Sequence, residues 1–175
     1  FLRPHHLQAM QRQSVERHTV ERRMAWAYPW GLVDARVSSD ELENMRVRFD
    51  RLRVVMPSGL EISVPENADL PALDISEAFA ARTRPLTVSL AAPLWQPTRG
   101  NALEIGESDW RVKRLYRVDE LTAPDENSGE NEQAVFVRRA NARLLLDGDD
   151  RTDLETIPLM RIVHDTGDDA GTPRL

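Results

Sequence analysis

Two adjacent histidines, His5 and His6, are the first residues whose chemistry asks for an explanation. On a helix neighbouring side chains diverge by about 100°, which is too far for one metal ion. Neither an H-E-x-x-H pattern nor a third nearby histidine completes a zinc set, so the pair reads as facing solvent or a partner. His18 and His164 stand alone and read as structural. The acidic run Asp147-Gly148-Asp149-Asp150-Arg151-Thr152-Asp153-Leu154-Glu155 invites calcium. An EF-hand loop, however, carries its glycine at the sixth position between two helices. Here Gly148 directly follows the first Asp and the flanks read as strands, so a solvated turn is expected.

Carboxylates are numerous, but no spacing selects a pair for acid–base work. Ser38, Ser39, Ser58 and Ser128 fall in turn-like sequence, and none occupies a G-x-S-x-G elbow. A phosphate-binding loop and a dinucleotide fingerprint are both absent. The chain has no cysteine, which removes disulfides, thiolate nucleophiles and cysteine-ligated metals, and makes a reducing, cytoplasmic setting the default. The expectation is a protein without catalysis, cofactor or metal. Trp26, Tyr28 and Trp30 remain, as either a packing plug or an interface anchor, because Trp and Tyr dominate contact energies between proteins. Trp95, after Pro93, poses the same question.

The elements that must position these groups follow from periodicity. After Pro4, a residue suited to a first helical turn, residues 1–28 read as a helix rich in Gln, Arg and Glu. Its apolar residues Leu7, Met10, Val15, Val20, Met24 and Ala27 gather on no single face, so it is poorly anchored on its own domain. Beyond Pro29-Trp30-Gly31 the pattern turns to short alternating runs. Leu32–Val37 reads as a strand, and Met45, Val47 and Phe49 alternate, as do Leu52, Val54 and Met56 in a different phase. That one-residue slip predicts a β-bulge between Phe49 and Leu52. Pro57-Ser58-Gly59 predicts a hairpin turn, with Leu60, Ile62 and Val64 on the return strand. A helical turn is expected near Ile75–Ala81, and strands at Leu86–Leu90, from Trp110 through Val118, and at Val135–Ala140, Arg143–Leu146 and Ile157–Val163. Many short strands with few helices point to a mainly β protein, an antiparallel sandwich or barrel. The reading divides the chain into a helical arm (1–28), a β-sandwich (29–165) and a linker (166–175).

The 175 residues suffice for one such domain. Basic residues number 23 against 29 acidic, a net charge of -6 and the wrong sign for general nucleic-acid binding. No apolar run approaches the roughly 18 residues of a membrane span. Arginines crowd the first third and acids crowd residues 119–132 and 147–155, a dipolar arrangement suited to oriented docking on other proteins. The chain begins at Phe1 rather than Met, so residues are expected to precede it.

Leu2-Arg3-Pro4-His5-His6-Leu7-Gln8 resembles the opening signature of the TssK family (VasE, ImpJ), approximately Leu-x-Pro-Gln-His-Phe-Gln. His5 stands where Gln is commoner and Leu7 where Phe is commoner. Trp30-Gly31, the turn Pro57-Ser58-Gly59 with Pro65 beyond it, Asn141-Ala142-Arg143-Leu144-Leu145-Leu146 and Ile157–Val163 resemble later family segments in the same order. The resemblance implies an N-terminal shoulder, a β-sandwich similar to that of siphophage receptor-binding proteins, followed in the family by a neck and head. It also implies a trimeric, non-enzymatic adaptor of the type VI secretion baseplate. The shoulder would dock on the TssF–TssG wedge, and the head would reach the membrane complex of TssL and TssM. The signature and the aromatic cluster nominate Leu2, Pro4, His6, Leu7, Trp26 and Trp30 for partner contact. The phage likeness implies a second reading, a carbohydrate- or ligand-binding sandwich.

Overall fold

The computed structural model describes residues 2–81, 85–107, 111–164 and 173–174. Helix α1 (Pro4–Ala25) starts where expected, at a proline that fixes φ and lacks the amide the first turn could not satisfy. The Arg3 amide donates to His6 Nδ1 at 3.0 Å, one half of a capping exchange. The helix ends at Trp26, whose amide still donates to the Arg22 carbonyl at 2.9 Å while its own backbone turns extended. Arg22 and Arg23 complement the negative end of the helix dipole. No residue of α1 is buried.

The remaining elements are β1 (Gly31–Val37), α2 (Ser39–Glu43), β2 (Arg46–Val47), β3 (Phe49–Val55), β4 (Glu61–Val64), β5 (Leu73–Asp74), α3 (Ser76–Ala81), β6 (Leu86–Pro93), β7 (Ala102–Leu103), β8 (Tyr116–Ala123), β9 (Gln133–Ala140), β10 (Arg143–Leu146), β11 (Leu154–His164) and β12 (Pro173–Arg174). One sheet has the order β1-β3-β4 and another β10-β6-β11-β12, both antiparallel throughout. A third joins β7 in parallel to the antiparallel hairpin β8–β9, and β2 pairs with β5. Phe49, Leu52, Val54, Ile62 and Val64 of the first sheet share one buried cluster with Leu86, Val88, Leu90, Leu144, Ile157 and Ile162 of the second. Ile75 and Phe79 at α3, and Val47 of β2, join the same cluster. The mainly antiparallel sandwich is therefore as the alternation predicted.

The predicted slip between Phe49 and Leu52 is a bulge at Asp50. Arg36 pairs with Arg51 and Val37 with Phe49, leaving Asp50 unpaired, and this returns both Phe49 and Leu52 to the core face. Two further bulges carried no such signal. One falls between Leu32 and Asp34, the other between Pro158 and Met160, where it accommodates a proline that cannot donate to the ladder. The Pro57-Ser58-Gly59 hairpin forms as expected. Gly59 adopts φ +93, its amide donates to the Met56 carbonyl at 2.8 Å, and Glu155 of β11 accepts from the Ser58 amide at 3.0 Å and hydroxyl at 2.6 Å.

Two readings need correction. The strand expected from Trp110 through Val118 begins at Tyr116, because Val112 lies in a turn closed by the Arg114 amide, and Trp110 is outside the described residues. Within the tail read as a linker, Pro173–Arg174 pair with Val163–His164, and the rest of that tail is likewise not among the described residues.

The third sheet is tied to the first by Arg139. Its guanidinium donates to the carbonyls of Pro65 (2.6 Å) and Glu66 (3.2 Å) and pairs with Asp69 (2.9 Å) and Asp119 (3.3 Å). Arg117 also meets Asp69, and the Ala140 amide donates to the Asn67 carbonyl at 2.8 Å. Replacing Leu90, fully buried at the centre of the cluster, by Ala is expected to cost about 2–5 kcal/mol of stability in urea unfolding. Arg139→Ala is expected to cost about 1–3 kcal/mol by stranding its acceptors. Arg139→Lys will restore only part of that, since a point charge cannot reach the same fork of partners.

Candidate partner interface

Helix α1 is seated by the tips of its polar side chains. Arg22 Nη2 donates to the Gly59 carbonyl at 3.2 Å and Arg23 Nη2 to the Pro57 carbonyl at 3.1 Å. Thr19 lies so close over Gly59 that a Cβ there would fall 2.1 Å from its hydroxyl oxygen. Glycine is thus required at this turn both for its positive φ and for the approach of the helix. Further along, Gln11 meets Arg138, and Arg12 stacks over Trp95 at 4.7 Å from the ring centroid. Between helix and sandwich lies an open groove of about 680 Å³, lined by Val15, His18, Leu60, Asn67, Tyr116 and Arg138. Burial pushes the Tyr116 phenol above its ordinary pKa, against the opposing influence of Arg138, whose guanidinium sits 4.9 Å from the ring.

The six nominated residues fall into two groups at opposite ends of α1, which spans about 33 Å at 1.5 Å per residue. Leu2, Pro4, His6 and Leu7 surround the first turn, all exposed, with Leu2 at 76% and Leu7 at 49%. Trp26 (62%) and Trp30 (48%) flank the exit from the helix with the still more exposed Tyr28. The packing-plug alternative for this cluster does not hold, since none of the three rings is buried. Trp95 is exposed as well and serves as the seat of Arg12. The roles of Arg12, Arg22 and Arg23 had no sequence signal, because an arginine that clasps a carbonyl and one that faces water look alike in a polar helix.

The acidic turn at 147–155 is closed by the protein's own donors. Lys113 Nζ donates to Asp150 at 2.8 Å and to the Thr152 carbonyl at 2.6 Å. That side-chain hydrogen bond is the chief reason the Asp150 carboxyl lies well below the usual carboxylate range, with the Thr152 amide and hydroxyl helping. Asp149 accepts from the Leu146 amide, Asp147 from the Thr87 amide, and Asp153 pairs with Arg99. Carboxylates committed in this way form a structural turn. Among the described residues no cluster of three or more His, Asp or Glu side chains could hold a metal ion, and no helix is long and apolar enough to cross a membrane.

Comparison with known proteins supplies the context for this exposed helix. Residues 6–172 match the family model described as Bacterial Type VI secretion, VC_A0110, EvfL, ImpJ, VasE. A cryo-electron microscopy structure of the type VI secretion system TssK-TssF-TssG baseplate subcomplex contains a chain 27% identical, with TM-score 0.82 over 95% of this chain and 54% of that one. A structure of the baseplate complex from the type VI secretion system contains a chain 28% identical, with TM-score 0.81 over 94% of this chain and 36% of that one. A crystal structure of TssK shares the fold, at 20% identity and TM-score 0.79 over 99% of this chain and 40% of that one. The chain thus spans about half or less of the length of these relatives. No curated protein matches it. With nearly all of its length inside the family match and its sandwich and leading helix shared with those structures, the chain belongs to the VasE/ImpJ (TssK) family of bacterial type VI secretion proteins.

Proposed function

We propose that this chain is the wedge-facing adaptor domain of a type VI secretion baseplate subunit, docking a TssK-like trimer onto TssF–TssG without catalysis of its own. The observation that carries the reading is a 22-residue helix with no buried residue. A helix of that length normally owes its stability to an apolar face packed on its own domain. This one keeps Leu7 exposed, and its flanks keep Leu2, Trp26 and Trp30 exposed, so the covering surface belongs to another chain. Similarity to chains in TssK-TssF-TssG assemblies supports the wedge as that surface. Contact with the TssL–TssM membrane complex would fall to regions outside this chain, on the cytoplasmic side of the inner membrane.

Leu2, Pro4, His6 and Leu7 form one contact and Trp26 with Trp30 a second, so the wedge grips the arm at both ends. Co-purification with a TssF–TssG wedge, with and without residues 1–28, tests this directly. Binding that vanishes with the arm supports the reading, and a folded domain that fails to bind in either form sinks it. Within the intact chain, Trp26→Ala is expected to weaken wedge binding by roughly 30-fold, the equivalent of about 2 kcal/mol for a central aromatic anchor. Calorimetric titration would measure it. Circular dichroism should be unchanged, because the ring is largely exposed and lies outside the buried cluster.

A further inference from the structure

The β8–β9 hairpin is a second element with uncovered faces. Its strands pair over their whole length, from Tyr116–Ala140 at the base to Ala123–Gln133 at the end. From Glu120 outward on β8, and back along β9 to Phe136, every residue is exposed. Leu121 and Val135 are direct cross-strand partners on one face, and Phe136, 62% exposed, lies opposite Glu120 on the other. An isolated two-stranded hairpin is marginal in water, and exposed apolar side chains on both faces mark it as a contact element. Its tip is ordered. Asp125 accepts from the Asn127 and Ser128 amides at 2.9 and 3.1 Å, and the Asp125 and Glu130 backbones bond across the turn at 2.8 Å.

The charge of the hairpin specifies its cover. Glu120, Glu126, Glu130 and Glu132 have no ion pair among the described residues, and no Lys or Arg occurs between residues 119 and 137. The surface that fits must be basic, apolar and elongated. Helix α1 with its N-cap has that character: Arg3 and Arg17 have no acidic partner among the described residues, and between the two wedge contacts Met10 and Val20 are exposed beside them. The lengths agree as well, about 26 Å for eight strand residues against about 33 Å for the helix. Within one chain the two elements meet near the hairpin base, where Arg138 donates to Gln11. We infer that the β8–β9 hairpin of one copy of this chain lies along α1 of a second copy, its acidic tip against the helix arginines. Such a contact joins two different patches, so it propagates head to tail, and it forms a ring when the rotation between copies closes. The inference rests on the self-association that the adaptor reading includes, and it assigns the surface responsible.

The native chain has no cysteine, so engineered pairs give an unambiguous readout. Mixing a Glu126→Cys variant with an Arg17→Cys variant under mild oxidation is expected to give a mixed disulfide between copies, in clear excess over either homodisulfide. By sedimentation equilibrium, Leu121→Asp with Phe136→Asp is expected to weaken self-association at least tenfold. Glu126→Lys with Glu130→Lys, on the exposed tip where folding is not at stake, should weaken it likewise and remove its salt dependence. A monomeric native chain at all concentrations, an oligomer indifferent to these substitutions, or no mixed disulfide would overturn the inference. Wedge capture by the same variants separates the two readings. Hairpin variants that lose self-association while a single copy still captures TssF–TssG sustain both, whereas loss of capture only on removal of residues 1–28 bears on the adaptor reading alone.

Discussion

The turn at Met56–Leu60 is the point on which the arrangement of this chain depends. Three separate parts of the sequence converge there: the β3–β4 hairpin itself, β11 through Glu155, and α1 through Thr19, Arg22 and Arg23. Each uses a different face of the same few residues. Glu155 takes the Ser58 donors, the two arginines take the carbonyls of Pro57 and Gly59, and Thr19 occupies the space a side chain at Gly59 would need. Without glycine the turn would lose its positive φ and the helix its closest approach in a single change. The sandwich core fixes where this turn sits, because β3 and β4 carry Leu52, Val54, Ile62 and Val64 into the buried cluster. The direction of the arm is thus set by the core, although the arm contributes nothing to it.

This division of labour explains what was legible in the sequence. Wherever burial dictates the pattern, the pattern could be read: the alternation through β3, β4 and the start of β6, the phase slip that became the Asp50 bulge, and the glycine turn. A bulge between two buried residues leaves a mark, because the hydrophobic set must change phase to stay on the core face. The bulge in β1 leaves none, since no residue of that strand is buried. The two-residue strands β5, β7 and β12 are too short to carry an alternation, and their existence depends on a neighbour rather than on their own composition. Val112 and Tyr116 fell into one apparent strand because their apolar spacing ignores the turn between them.

For the candidate interface, exposure was anticipated only in part. The sparse apolar positions of residues 1–28 correctly implied a helix without a packing face. The aromatic cluster did not declare itself, because Trp and Tyr serve cores and interfaces equally well, and composition cannot distinguish them. Nor could the two-site character of the nominated residues be seen from a signature that spans only one end of the helix. The acidic run was the opposite case. Its glycine position and flanks already favoured a turn over an ion site, but its spacing gave no sign that the carboxylates were committed to Lys113, Arg99 and backbone amides distant in sequence.

The way α1 is held also bears on how it can work. Arginine-to-carbonyl bonds and a guanidinium resting on an exposed indole are individually modest, of the order of 1 kcal/mol each in the presence of water. Together they orient a helix without making it costly to move, because breaking them strands no buried apolar surface. A partner that covers Leu7 at one end and Trp26 at the other adds apolar burial that the isolated domain lacks. The polar clasp therefore limits the directions the arm explores beforehand, and so lowers the ordering cost of association. Under the proposed adaptor role, the apolar residues are left for the partner. That separation of orientation from affinity, with arginines supplying the first and exposed Leu and Trp the second, is a physical reason for a long helix at the surface of a sandwich that does not need it to fold.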